Sequence, residues 1–191
     1  MKKRTHVDFS QHVVTVTKHE KTLIHEIAKP ESSTHSVTFI NTNGIMAVTG
    51  DFGNWIFNRE FHPGISEFVS DTYWTQKLRV ASSQDPYEFD PAKAKEQIVE
   101  ILRTQTLTEE EESWIHSLLS AADDGEYSYI AKAMDYPSSF ESEMIPQGKI
   151  MKFWLEAVYD AFDEICKRED EKFKQNVDKF VLKKLEEATS V

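Results

Sequence analysis

The stretch Ser36-Val37-Thr38-Phe39-Ile40, Asn41-Thr42-Asn43-Gly44, Ile45-Met46-Ala47-Val48-Thr49 sets an Asn-Gly pair between two β-branched runs. Both residues of such a pair tolerate positive φ, so this is the strongest short-range signal for a β-hairpin. Working outward, His12-Val13-Val14-Thr15-Val16-Thr17 and Thr22-Leu23-Ile24-His25-Glu26-Ile27 are short, β-branched and bounded by charged turn material. On the other side, Gly50-Asp51-Phe52-Gly53 makes a turn and Trp55-Ile56-Phe57 a further strand. An antiparallel sheet of about four to five strands follows, filling residues 1–68.

Helical periodicity takes over in residues 69–191. Ser70 or Asp71 caps a predicted helix over 72–80, in which Tyr73, Lys77 and Val80 share a side. Asp90-Pro91 starts a second helix, with an acid at the cap and proline at the first turn, running to about Arg103. Thr108 and Glu111 have capping-box spacing ahead of Trp114, Ile115, Leu118 and Leu119, and Gly125 stops that helix. A short helix lies around 127–134. From about Lys149 an apolar stripe runs through Phe153, Trp154, Ala157, Val158, Ala161, Phe162 and Ile165, and resumes at Phe173, Val177, Phe180 and Val181. The expected architecture is one α+β domain over 1–191. The last stripe serves either as core or as the seam of a homo-oligomer.

The 191 residues carry 22 Lys plus Arg against 33 Asp plus Glu, a net charge of −11. Residues 107–148 hold 1 base and 10 acids, so most of the excess is there. Direct nucleic-acid binding needs a basic footprint and is disfavoured, whereas a partner protein with a basic surface is favoured. No apolar run reaches the ~20 residues of a membrane span. The single Cys166 makes no internal disulfide. A cytoplasmic setting without membrane contact fits both features.

No phosphate-binding glycine loop, nucleophile elbow or His-Glu-x-x-His pattern occurs, so no catalytic residue, metal or cofactor is assigned. Two sets of residues remain. Glu109, Glu110 and Glu112 with Asp123, Asp124 and Glu126 offer a negative face to a basic groove, imitating nucleic-acid phosphate. The plainer reading is a solvated face, helped by the preference of helix N-termini for acids. The second set is Asp51, Asn54, Trp55, Arg59 and His62, followed by Pro63-Gly64. It makes either a small-ligand pocket, with Arg59 clamping an anion, or a tight structural turn.

Thr49-Gly50-Asp51-Phe52-Gly53, then Phe57 and Arg59, then Tyr73-Trp74 and Lys77, resembles a group of bacteriophage- and prophage-encoded proteins of uncharacterised function. The resemblance spans about residues 20–80 and brings no catalytic residue with it. It implies a phage gene acting in the host cytoplasm. By analogy with small acidic phage proteins, the expected function is inhibition of a host factor, such as a nucleic-acid-handling defence complex. The alternative is a protein that binds or sequesters a nucleotide signal through the Gly50–His62 region.

Overall fold

The computed structural model describes residues 4–32, 34–63, 70–81 and 86–189, so Gly64 of the second candidate set lies outside the described residues. The fold is α+β. The chain divides into two compact units, residues 1–86 with 153–191, and residues 87–152.

The first unit is built on β1 (Val13–His19), β2 (Thr22–Ala28), β3 (Val37–Thr42), β4 (Ile45–Gly50), β5 (Trp55–Phe57) and β6 (Leu78–Ala81). They form one antiparallel sheet in sequence order. The Asn-Gly hairpin is present: Thr42 pairs with Ile45, and Asn43 and Gly44 take φ of 49° and 83°. Period-two alternation sorts the faces. In β3, Val37, Phe39 and Asn41 are buried while Thr38, Ile40 and Thr42 are half-buried. The buried face, with Ile27, Met46, Val48, Trp55 and Phe57, meets Leu155, Val158, Tyr159 and Ile165 in a shared core with α5 (Phe153–Thr189). Phe39 and Phe162 meet edge to face across it at 5.8 Å.

The sheet has six strands where four to five were expected, and the sixth was read as helix. α1 (Asp71–Lys77), capped by Ser70, stops at Lys77 instead of continuing to Val80. Leu78, Val80 and Ala81 pair instead with Phe57, Ile56 and Trp55. The open edge of β5 offers those backbone groups partners, and this outweighs a weak helical period of Tyr73, Lys77 and Val80. Trp74, on α1, stacks on Phe61 at 3.8 Å and so fixes the helix to the core.

The N-terminal segment is strapped to α5 by two arginines. Arg4 donates to Asp71, Asp160 and Asp163, while the Thr5 N–H and hydroxyl both donate to Asp160 Oδ2. Arg168 of α5 donates to the carbonyls of Phe9 and His12.

The second unit contains a two-stranded sheet that the periodicity did not reveal, β7 (Tyr87–Phe89) against β8 (Lys149–Met151). Between these strands run α2 (Pro91–Thr104), α3 (Glu109–Asp123), α4 (Glu126–Ala133) and a 3-10 turn at Ser142–Met144. Asp90 caps α2 with Pro91 in its first turn, and Thr108 with Glu111 closes the capping box of α3, both as the sequence predicts. The core is Ala94, Ile98, Trp114, Ile115, Leu118, Ala122, Tyr129 and Phe140. The Tyr129 hydroxyl donates to Pro146 O at 2.8 Å, and burial pushes its pKa up to about 12. Among the described residues no helix is long and apolar enough to cross a membrane.

Candidate functional site

The Thr-Gly-Asp turn is held by bonds within its own unit. Gly50 has a φ of 136°, and a Cβ placed there would lie 2.2 Å from Ser36 O. Asp51 uses its carboxylate to accept the Ser36 N–H at 3.0 Å. Asn54 accepts a hydrogen bond from the Thr49 hydroxyl at 2.7 Å. The buried Trp55 donates its indole N–H to Phe52 O at 2.8 Å. Arg59 bonds the Tyr73 hydroxyl and lies over that ring at 4.7 Å, while His62 Nε2 faces Glu60 at 3.2 Å. These five residues therefore spend polar groups on separate local partners, and Arg59 and His62 face different neighbours.

The acidic set is divided between the start of α3 and the α3–α4 junction, not brought to one spot. Glu109, Glu110 and Glu112 are exposed in the first turn of α3, where the four free backbone N–H groups favour negative charge. Glu111, the fourth acid of the run, turns inward. It accepts the Thr108 N–H and the Ser139 hydroxyl, each at 2.8 Å, and these bonds hold its pKa below the usual carboxylate range. Asp123, Asp124 and Glu126 are exposed at the other end of the helix, around the α3–α4 junction. A helix of 15 residues separates the two groups by roughly 20 Å. Lys95 of α2 is ion-paired with Asp123.

The second acidic group has an apolar neighbour that sequence periodicity hid. On α4, Tyr129 points into the core, while Tyr127 and Ile130, with Met134 at the helix's C-cap, share the opposite face at i, i+3 and i+7. Tyr127 is 93% exposed and Met134 78%. That spacing in the sequence reads as a core stripe. Only the inward placement of Tyr129 shows which side is buried. An exposed aromatic and methionine patch next to Asp123, Asp124 and Glu126 has the composition of a protein-binding surface, with an apolar centre and a charged rim.

The unit also carries an open cleft of about 920 Å³ between α2 and the segment leading into β8. Its walls bring both signs of charge, with Lys93, Glu96, Glu100, Glu143 and Lys149 among them. Lys93 is already paired with Glu96 at 2.7 Å. Cys166, half-buried on α5, has its pKa pushed up to about 12 by burial first and then by Asp163 and Asp170, so its thiolate is scarce at neutral pH. Among the described residues, no group of three or more His, Cys, Asp or Glu is placed to hold a metal ion. No protein-family model, curated protein or solved structure matches the chain.

Proposed function

We propose that the chain is a phage-encoded interaction protein that inhibits a host factor by docking on its basic, nucleic-acid-handling surface. The observation that carries this reading is the exposed Tyr127, Ile130 and Met134 face of α4 beside Asp123, Asp124 and Glu126. Aromatic side chains supply contact area at the centre of an interface with few torsions to freeze, and methionine adds a flexible, polarisable surface that adapts to the partner. The acids, together with Glu109, Glu110 and Glu112 at the far end of α3, steer a basic partner and set its orientation. The phage setting comes from the resemblance of the Thr49–Lys77 region. Binding, rather than chemistry, is the activity assigned.

The test is retention of host proteins on the immobilised chain at low and moderate salt, compared with two variants. A specific partner should be lost with Met134→Asp and should bind more weakly as salt rises. Charge reversal at Glu110 and Glu112 should flatten that salt dependence. A partner held equally by wild type and both variants would sink the reading. The alternative, a nucleotide-signal binder built on Asp51, Asn54, Trp55, Arg59 and His62, requires a nucleotide to be released when the purified chain is denatured.

A further inference from the structure

Residues 87–152 interrupt the six-stranded unit between β6 and α5, and the chain enters and leaves them through two paired strands. Tyr87 lies opposite Met151, Glu88 opposite Ile150 and Phe89 opposite Lys149. Opposed Cα atoms in an antiparallel pair are about 5 Å apart, so both ends of the segment meet at one place. An insertion of that kind asks the surrounding unit for no more than a closed loop. The clasp is itself fastened inward. The Asp90 N–H donates to Gly148 O at 2.7 Å, and the Gly148 N–H donates to Gln97 Oε1 of α2 at 2.9 Å. The Phe89 ring packs on Tyr129 at 5.0 Å, and the Tyr129 hydroxyl donates to Pro146 O. Gly148 sits at a φ of 59°, and a Cβ there would come within 2.7 Å of Ala94 Cβ and of Phe89 Cε2. The residue before β8 therefore approaches α2 as closely as one without a side chain allows.

Behind the clasp the segment has what a domain needs. Its core joins α2, α3 and α4 through Ile98, Trp114, Ile115, Leu118 and Tyr129, with Phe140 from the loop that follows. Its polar anchors close on themselves, Glu111 on Thr108 and Ser139, and the Trp114 indole N–H on Lys132 O at 3.0 Å. At about 65 residues it is in the size range that folds alone while burying only about 60% of the surface its unfolded chain exposes. The six-stranded unit is the longer of the two and buries a larger share. We infer that residues 87–152 are a separately folding module, clasped at its neck by β7 and β8, that opens at lower cost than the unit into which it is inserted. The candidate docking face, from Glu109 to Met134, lies wholly within the module. That face can therefore open and close while the six-stranded sheet stays intact.

Hydrogen exchange of the full-length chain in rising, sub-denaturing urea, read by mass spectrometry on peptides from each unit, is the test. It uses no partner, so its outcome leaves the docking proposal to its own experiment. Amides of α2, α3 and α4 should reach one shared opening before those of β2, β3 and β4 do. Two glycine variants then separate the units. Gly148→Ala drives a Cβ into Ala94 and Phe89. It should speed exchange of the α2–α4 amides about tenfold or more, with β2–β4 within about twofold of wild type. Gly50→Ala drives a Cβ into Ser36 O and should do the reverse. If Gly148→Ala unfolds the module outright, α2–α4 exchange at once while β2–β4 remain protected, which supports the inference equally. Exchange accelerated in both units by either variant means one cooperative fold and overturns it. So does a wild-type opening of α2–α4 that coincides with that of β2–β4. Unchanged exchange in Gly148→Ala would sink the clasp.

Discussion

Ser36 and Asp51 exchange two hydrogen bonds: the Ser36 N–H donates to Asp51 Oδ2, and the Asp51 N–H donates to Ser36 O, both at 3.0 Å. This reciprocal clamp fastens the start of β3 to the end of β4. It explains why a glycine precedes the acid, because Ser36 O occupies the space that a side chain at Gly50 would need.

Gly50→Ala should therefore cost about 3 kcal/mol of stability, from a positive φ that L-residues resist and from overpacking against backbone that cannot swing aside. Asp51→Ala should cost only about 1 kcal/mol, the worth of one hydrogen bond on a half-open surface. Asp51→Asn keeps an acceptor and should fall between Asp51→Ala and wild type. Urea midpoints of the three variants check the order. If Gly50→Ala were the mildest of the three, the clamp would not be what the glycine serves.

Arg4→Met should lower stability by ~2 kcal/mol at neutral pH, because removing the cation of a partly buried cluster strands the carboxylates it neutralised, Asp71 least since it is the most exposed. Arg4 holds Asp71 with bonds of 2.8 and 2.6 Å and Asp163 with one of 2.7 Å. The side-chain bond to Asp71 raises the Arg4 pKa, so its charge persists at every ordinary pH. Asp163 is raised above the ordinary carboxylate value, by burial first, despite Arg4. A carboxylate whose folded pKa is raised favours the folded state as it takes up a proton. Without Arg4 that rise should grow, so the variant should regain part of its loss as pH falls from 7 towards 4. Thermal melts across that range would show a gap between variant and wild type that narrows on acidification. A gap independent of pH would mean that lost packing, not stranded charge, is the cause.

The parts of the fold legible in the sequence are those whose signals are local. Val13 to Phe57 yields five strands because β-branched runs alternate and turn residues separate them, and Thr108 with Glu111 marks the start of α3 three residues apart. β6 was hidden because Leu78-Arg79-Val80-Ala81 becomes a strand only through pairing with β5 across α1. β7 and β8 are three residues each and lie about sixty residues apart, so neither has a period to detect. The acids of the candidate surface were visible as composition. The apolar face of Tyr127, Ile130 and Met134 was not, because an exposed stripe and a buried one have the same spacing.

His25 should make the chain less stable at mildly acidic pH. It is buried on β2 and its Nδ1 has no hydrogen-bond partner among the described residues. Burial lowers its pKa most; Glu169 pulls the other way, and His62 and Lys172 add to the lowering. A histidine with a depressed folded pKa stays neutral while the unfolded chain takes the proton. Its contribution is therefore complete above about 6.5 and is lost as pH falls towards the lowered folded value. His25→Phe, facing Phe39 across the sheet, should flatten the stability profile between pH 7 and 5. An unchanged slope in that variant would assign the acid sensitivity to another group.

Of the four consecutive acids that open α3, only Glu111 should matter to folding. Its carboxylate closes the capping box on the Thr108 N–H and also accepts from Ser139, whereas Glu109, Glu110 and Glu112 project into solvent. Thr108→Ala, which removes the other half of the box, should cost about 1 kcal/mol. Glu111→Gln should also destabilise the chain at neutral pH, since the charged acceptor makes the stronger bonds. Its depressed pKa means that the stabilising bonds are present above the ordinary carboxylate range and are lost as pH falls through the lowered value. The Glu111→Gln and wild-type stabilities should then converge in strong acid. Neutralising Glu109, Glu110 and Glu112 together should change stability by less than about 1 kcal/mol, because the favourable field of the helix N-terminus is offset by repulsion within the run. Three charges that the fold does not need, beside one that it does, separate the part of the run that builds the helix from the part left over for a partner. A large loss of stability in the triple variant would return all four to structure and remove them from the interaction surface.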